Sequence, residues 1–328
     1  MENYFQDVVG LALGLARGDE VMLANFYAEE SDFVRFNGGR VRQAGGVETR
    51  SLSIDLIHGS RHASARTTLA GDLEVDRARL VRIVEDLRDR RAHVPEDPHL
   101  LYSTEVRSTE RRVESRLPSG GQALAEIETA AGGRDLVGIY AAGGIYQGFA
   151  NSLGQRNWYA NGSFNLDWSF VHSSDKAVAA NYAGFEWRPE TLRQKADVAL
   201  EQLAVLARPP HAIRPGRYRV VLAPAALAEF LSLLGWGGFG LRAHRTKTTP
   251  LLRMIEDEAR LDPRVRLSEN FERGLAPDFQ EEGFLRPPEV PLIADGRYRE
   301  CLASPRSAAE YGVPTNGAAS RRARSRSI

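Results

Sequence analysis

The feature that most constrains the fold is a long alternation of apolar and polar residues in the middle of the chain. The even positions carry Trp158, Ala160, Phe164, Leu166, Trp168 and Phe170, and the odd positions carry Asn161, Ser163, Asn165, Asp167 and Ser169. Because successive side chains of a β-strand point to opposite faces of the sheet, this period of two predicts a strand. We expect one face of that strand to be buried and aromatic, and the other to be polar.

A second alternation, over residues 51–68, predicts a β-hairpin whose two-residue loop is Gly59-Ser60. The predicted register sets large side chains against small ones, with Leu56 opposite Ala63, Ile54 opposite Ala65 and Leu52 opposite Thr67. The same register places His58 opposite Arg61 and His62 opposite Ile57. The two imidazoles therefore point to opposite faces, and this pair cannot share a metal ion.

The remaining periodicity defines the fold class. Apolar residues at helical spacing predict helices over residues 5–16, 80–87, 124–131, 189–206 and 224–234. Strand-like runs cover residues 21–27, 32–36, 136–142, 145–151, 177–184 and 218–222, with Gly143-Gly144 as a hairpin turn and residues 93–120 as a long connection. The sequence predicts an α+β fold of antiparallel sheets, hairpins and a few packed helices.

Two proline-rich steps within residues 208–216 interrupt a helix and precede a new strand, which is typical of a domain boundary. We predict an N-terminal α+β domain over residues 1–207 and a mostly-β domain over residues 217–317. Residues 318–328 are rich in arginine and serine, and we predict that this tail is disordered.

Charge and cysteine content limit the class of protein. The 43 basic and 43 acidic side chains cancel, which argues against a dedicated nucleic-acid binder because such proteins usually carry a basic excess. The single thiol, Cys301, cannot form an internal disulfide, so we expect a reducing compartment. The chain opens without a basic signal peptide and contains no run of about 20 apolar residues that could span a bilayer. We therefore expect a cytoplasmic protein without a membrane partner.

Two motifs have both a chemical and a plain interpretation. The glycine-rich run over residues 235–240 follows a predicted helix, whereas a dinucleotide loop would open one, so we interpret the run as a helix stop. Asp278, Glu281 and Glu282 form an acidic cluster that could hold a metal or act as acid and base, or could be solvated loop charges.

Six segments, in this order and spacing, resemble the TldD/PmbA family, whose members have been labelled modulators of DNA gyrase and are understood as a peptidase system. The segments cover residues 35–43, 59–68, 150–154, 218–224, 277–283 and 307–317. The resemblance implies two domains and a dimer whose enclosed cavity admits unfolded peptides. It also implies further sheet after Asn316-Gly317, so we expect that this chain is truncated, either natively or by a shift of reading frame.

The catalytic member of the family carries H-E-x-x-x-H on the helix that follows the first strand of the second domain, where two histidines bind zinc and the glutamate activates water. The corresponding helix reads Glu229-Phe230-Leu231-Ser232-Leu233-Leu234. The chain therefore resembles the PmbA (TldE-like) subunit, which lacks the motif. The resemblance implies no metal in this chain, zinc in a TldD-like partner, and either a heterodimer with that partner or a homodimer.

Three further interpretations stay open. An active metallopeptidase could draw unusual ligands from His172, His244, Asp278 and Glu282. A non-enzymatic factor associated with DNA or gyrase could use the arginine-rich hairpins and the tail, although the neutral charge argues against it. Asn151, Ser152 and Gly154 could bind a peptide at an exposed sheet edge, or could simply form a turn.

Overall fold

The computed structural model describes residues 1–173, 176–235 and 237–319. The helices are α1 (Glu2–Leu13), α2 (Leu73–His93), α3 (Gly120–Ala131), α4 (Pro189–Leu206), α5 (Pro224–Gly235), α6 (Leu241–Arg245), α7 (Leu252–Ile255) and α8 (Pro305–Tyr311). The strands are β1 (Val21–Asn37), β2 (Arg40–His58), β3 (Arg61–Thr68), β4 (Thr109–Val113), β5 (Leu136–Asn151), β6 (Arg156–Ser173), β7 (Lys176–Gly184), β8 (Leu267–Asn270), β9 (Glu289–Ala294) and β10 (Arg297–Tyr298).

Seven strands form one large sheet in the order β3-β2-β1-β5-β6-β4, with β7 also paired to β6. All pairs are antiparallel except β4 with β6, which run parallel. The strands β8, β9 and β10 form a separate three-stranded sheet. The predicted α+β class is thereby confirmed. No helix in the described ranges is long and apolar enough to cross a membrane.

One face of the large sheet is buried beneath helices α1 to α4, and it divides into two apolar clusters. In the first cluster, Phe5 of α1 and Leu80 of α2 pack with Phe26 and Trp158 of the sheet. In the second, Ile127 of α3 and the inner side of α4 pack against the later half of β6. Burial of this face selects the strand register, because a slip of one residue would move every apolar side chain to the opposite face.

The two alternating segments adopt the predicted strands. In β6, Trp158, Phe164, Leu166, Trp168 and Phe170 are all buried on one face, whereas Asp167 is exposed on the other. The β2–β3 hairpin has the predicted register, including Leu56 opposite Ala63 and His62 opposite Ile57. Residues 174 and 175 lie outside the described residues, and Ser173 pairs with Lys176 on either side of them.

The structure corrects the prediction of a hairpin at Gly143-Gly144, because both glycines lie inside the single strand β5. A Cβ atom on Gly143 would lie 2.1 Å from the carbonyl oxygen of Glu30, so a side chain there would prevent β5 from packing against β1. Residues 21–37 likewise form one strand instead of two. The predicted connection over residues 93–120 contains β4, which sequence periodicity could not detect because it is only five residues long.

The second predicted domain differs in content from the expectation. Within its described residues, four helices accompany three short strands, so "mostly-β" is not an accurate description. The predicted strand over residues 218–222 is not formed, because no described strand pairs with it. The helix after it is confirmed as α5, and the glycine-rich run stops it as predicted. The domain limits at residues 207 and 217 stay predictions, and residues 320–328 of the predicted tail lie outside the described residues.

A buried glutamate joins the start of β1 to helix α2. Both Glu20 carboxylate oxygens accept hydrogen bonds from the Arg88 guanidinium, one accepts from Arg91 at 2.9 Å, and the other accepts from the backbone N–H of Arg17. Burial alone would raise the pKa of Glu20, but these donors outweigh it and lower the pKa from 4.5 to about 2.

We predict that Glu20→Gln lowers the free energy of unfolding at pH 7 by roughly 3 kcal/mol, the equivalent of that pKa difference. Because the folded-state pKa is depressed, the contribution is complete above pH 4.5 and is lost as the pH falls towards 2. Urea titrations at several pH values should therefore show that the free energy of unfolding of Glu20→Gln falls less steeply towards acid pH than that of wild type. Asp89→Asn, at an exposed position of α2, is the matched control and should keep the wild-type dependence of the free energy of unfolding on pH.

We also predict that Trp168→Ala lowers the free energy of unfolding by about 3–5 kcal/mol, because the indole is 3% exposed and its removal leaves a cavity. Val137→Ala, on the open face of the neighbouring strand, should cost less than about 1 kcal/mol. Equal costs for the two variants, measured by chemical denaturation, would contradict the assignment of the faces.

Candidate functional site

The face of the large sheet opposite the helices carries a patch of polar side chains, and this patch forms the floor of a cleft. The floor side chains come from four adjacent strands and are Asn25 and Tyr27 of β1, Ser51 and Ser53 of β2, Arg66 of β3 and Gln147 of β5. Their positions follow from the register, since Asn25 is opposite Ser53, Ser53 is opposite Arg66, and Tyr27 is opposite both Ser51 and Gln147. The alternation that buries the apolar face therefore also gathers these polar groups.

The roof of the cleft is the segment 269–286, which leads from β8 towards β9. Floor and roof enclose about 690 Å³. A second cleft of about 500 Å³ lies over the middle of β5 and β6, and the side chain of Leu275 lines both. The two clefts adjoin at Leu275 and together cross several strands of the sheet, and the second is lined mainly by apolar side chains such as Ile145 and Phe185.

Arg111 of β4 holds the loop 271–276 above the sheet. Its guanidinium donates to the carbonyl oxygens of Phe271, Glu272, Gly274 and Ala276 at 2.8–3.4 Å. It also lies over the ring of Tyr159, 5.4 Å from the centroid. Because one planar group fixes four carbonyls, the loop has a defined height above the cleft floor.

The next segment, residues 277–283, is anchored by backbone contacts. Asn25 donates to the carbonyl of Glu281 at 3.0 Å, Gln155 donates to that of Gly283 at 2.9 Å, and the N–H of Ser103 donates to that of Glu282. Gly283 has a φ of +86°, and a Cβ there would lie 2.8 Å from the ring of Phe149. A residue other than glycine would therefore be strained and would push the roof away from the sheet.

Two arginines line the cleft, and their surroundings differ. Arg286 donates to the carbonyls of Pro277 and Gly317 and lies over the ring of Phe271, and burial lowers its pKa. Arg66 donates to the hydroxyl of Ser51 at 2.9 Å and forms no ion pair with any described residue.

A second contact between the large sheet and helix α8 runs through ionisable groups. The Nδ1 atom of His62 lies 3.0 Å from the buried carboxylate of Asp55, and its Nε2 lies 3.6 Å from Asp97. Asp97 in turn pairs with Arg306 of α8. Burial would raise the pKa of Asp97, but the hydrogen bonds from Arg306 and from the His99 N–H, with the charge of His62, lower it.

The structure places Asn151, Ser152 and Gly154 in the turn that joins β5 to β6. The Asn151 side chain accepts from the N–H groups of Leu153 and Gln155, and the Ser152 hydroxyl accepts from the N–H of Met22. These contacts match the turn interpretation. Peptide binding at these three residues stays a prediction.

The four residues proposed as unusual metal ligands do not come together. Asp278 and Glu282 lie in the roof, and Asp278 accepts a hydrogen bond from Thr109, beside Asn157 of β6. His172 lies 15 residues further along β6, which is about 50 Å at the usual rise of a strand. Within residues 1–173, 176–235 and 237–319, no group of three metal-ligating side chains is found.

The fourth residue, His244, lies in α6 of the second domain and uses both ring nitrogens in hydrogen bonds. Its Nε2 is 2.7 Å from the carbonyl of Gly238, which can only accept, so Nε2 donates. The Nδ1 atom is 3.2 Å from the hydroxyl of Tyr298 and accepts from it. Burial lowers the pKa of His244, which keeps the ring neutral. Metal binding at either nitrogen would break the hydrogen bond that this nitrogen makes.

Sequence reasoning missed Arg66, Gln147 and Arg111. A signal for Arg66 was present, because polar residues alternate with the core residues of β2 and β3, but a single strand does not reveal which polar positions meet in space. Gln147 had no such signal, because the preceding outward positions of β5 are apolar residues or glycine. Arg111 lies in the strand that periodicity could not detect, and its partners are more than 150 residues away.

Comparisons with known proteins give a family match for the second domain and a fold match for nearly the whole chain. Residues 215–328 match the family model described as the PmbA/TldA metallopeptidase C-terminal domain. Comparison with curated protein sequences gives no match.

Three solved structures share the fold over nearly the whole chain. A proposed modulator of DNA gyrase from Thermotoga maritima has a TM-score of 0.69 at 16% identity, covering 96% of this chain and 74% of that one. TldE from Thermococcus kodakarensis has a TM-score of 0.66 at 15% identity, covering 99% and 74%. A proposed gyrase modulator from Bacteroides thetaiotaomicron has a TM-score of 0.70 at 15% identity, covering 97% and 75%. The second domain therefore matches the PmbA/TldA metallopeptidase C-terminal domain, and the chain as a whole shares its fold with these three structures.

Proposed function

We propose that this chain is the non-metal-binding subunit of a TldD/PmbA-type metallopeptidase complex that processes unfolded peptides. The observation that carries the proposal is helix α5, which opens the family-matched domain and lacks the H-E-x-x-x-H of the family's catalytic member. Phe230 stands at the position of the motif's glutamate and Leu234 at that of its second histidine, and neither offers a lone pair for zinc or a base for a water molecule. Glu229, at the position of the first histidine, leaves a single carboxylate, which cannot hold the ion alone. The residues of α5 therefore do not fit zinc, and we derive no catalytic step through a metal in this chain.

The exposed surface of α5 and the preceding segment supports a role as one subunit of a complex. No residue of α5 is buried, and Phe230 and Leu233 are 59% and 71% exposed. Val221, just before the helix, is 96% exposed. Large apolar side chains exposed in this number on one short segment are typical of a protein interface. The partner that we propose is a TldD-like homologue that supplies the zinc site, and the single thiol fits assembly in the cytoplasm.

The cleft supports the peptide part of the proposal. Its floor carries hydroxyl, amide and guanidinium groups on a rigid sheet, and these can hydrogen-bond a peptide backbone without selecting side chains. Folded proteins satisfy their own backbone groups, so such a floor favours unfolded substrates. In this proposal the chain binds and orients the peptide, while hydrolysis takes place in the partner.

We predict that the purified chain alone has no chelator-sensitive peptidase activity on an unstructured peptide. Without ligands for zinc, water is not activated and remains a poor nucleophile at neutral pH. Activity should appear when a homologue that contains H-E-x-x-x-H is added, and a chelator should abolish it. Chelator-sensitive cleavage by the chain alone would contradict the proposal.

The subunit interface has its own test. Leu233→Asp should prevent activation of the mixed complex and should abolish co-elution of the two chains in gel filtration, because a carboxylate would be buried without a partner. Val106→Asp, at an exposed valine of the first domain, is the control and should leave both the activation and the co-elution unchanged. Loss of activation in both variants, or in neither, would contradict an interface at α5.

A further inference from the structure

We propose that Arg66 binds the free α-carboxylate of a peptide, so that the cleft selects the carboxyl-terminal end of its substrate. This inference rests on the proposed function, because it names the part of the peptide that the same cleft recognises. It follows from the donors that Arg66 leaves unused, the distribution of charge across the cleft and the position of Gln147.

Arg66 has unused hydrogen-bonding capacity. A guanidinium carries five N–H donors in a planar fork, and the contact to Ser51 uses one of its nitrogens. No carboxylate among the residues that the structure describes lies within ion-pair distance of Arg66. Arg66 projects from the face that lines the cleft, directly opposite Ser53. A carboxylate is the group that matches the fork geometrically, through two parallel hydrogen bonds.

The distribution of charge across the cleft decides where an anion can lie. The roof contributes Glu269 and Glu281, and both interact electrostatically with Arg286 without lying within ion-pair distance of a cation in the described part of the chain. Arg286 is directed into the roof, where its donors meet the carbonyls of Pro277 and Gly317. A ligand carboxylate is therefore repelled by the roof and attracted to the floor, where Arg66 is the cation that remains available.

The same floor provides a path for the preceding residues of the peptide. Gln147 makes no side-chain hydrogen bond to the described residues, so its amide can bind a peptide N–H or C=O. Arg66 and Gln147 are separated by three strand spacings, from β3 through β2 and β1 to β5, and by two residues along the strands, which together is about 16 Å. An extended chain covers that distance with about five residues. A peptide whose carboxylate binds Arg66 thus reaches Gln147 with about its fifth residue from the end.

A phosphate ligand fits the same site less well. A phosphate monoester carries nearly two negative charges at pH 7, and one arginine would neutralise only part of them beneath two roof carboxylates. A peptide carboxylate carries one charge and brings backbone amides that match Ser53 and Gln147. The observations therefore favour a carboxylate, and phosphate competition becomes an outcome of the test.

The test compares two forms of one unstructured hexapeptide, labelled with fluorescein at its amino end, that differ only in a free carboxylate or a carboxamide at the other end. Binding to the full chain is measured by fluorescence anisotropy. Amidation should weaken binding by wild type roughly tenfold to a hundredfold, the usual effect of a charge-assisted hydrogen bond. Arg66→Gln should bind both peptides equally and as weakly as wild type binds the amide. Arg66→Lys should restore part of the preference.

Arg77→Gln is the matched control, since it removes an exposed arginine from α2 on the helix-covered side of the sheet and should keep the full preference. Circular dichroism and the thermal midpoint of each variant confirm that it folds. Equal binding of the two peptides by wild type would overturn carboxylate recognition while leaving peptide processing by the complex intact. Displacement of the peptide by inorganic phosphate at lower concentration than by acetate would also overturn the inference. Failure of both peptides to bind would overturn it together with the role of the cleft in the proposed function.

Discussion

Burial of one face of the large sheet beneath helices α1 to α4 is the constraint on which the rest of the structure depends. The aromatic residues of β6, the aliphatic residues of β2 and the apolar side of α1 all lie in this layer. Since side chains alternate along a strand, fixing these residues inside also fixes which residues lie on the opposite face. The register that protects Trp158 and Trp168 from water thus presents Tyr27, Ser53 and Arg66 to the cleft.

The roof of the cleft depends on a few directional contacts instead of on apolar packing. Arg111 holds four carbonyls of the loop 271–276, and Asn25, Gln155 and Ser103 hold the following segment. A small apolar cluster in which Phe279 packs with Phe149 and Tyr159 supports these contacts. Hydrogen bonds of this kind define position sharply but add little net stability each. The large sheet is therefore the rigid reference to which the second domain is fitted.

The proposed division of labour follows from the same layout. The chain offers a polar, open cleft for a peptide and an exposed apolar helix for a partner, but in the described residues it gathers no set of metal-ligating side chains. A subunit of this kind contributes binding energy and orientation, which accelerate a reaction only when the partner supplies the reacting groups. Selection of a carboxyl-terminal end by Arg66 would give this subunit a specific part in choosing the substrate.

The sequence by itself determined the α+β class, the β2–β3 register and the buried face of β6, because these follow from the local periodicity of side chains. It also determined that α5 carries apolar residues in place of a metal-binding motif, and the order of its segments carried the resemblance to the TldD/PmbA family. Only the tertiary structure decided that Gly143-Gly144 lies within a strand, since the reason is the close approach of β1. It alone brought Arg66, Gln147 and the roof segment together and separated His172 from Asp278, because the distance between residues remote in sequence is set by strand order and packing, which no local pattern contains.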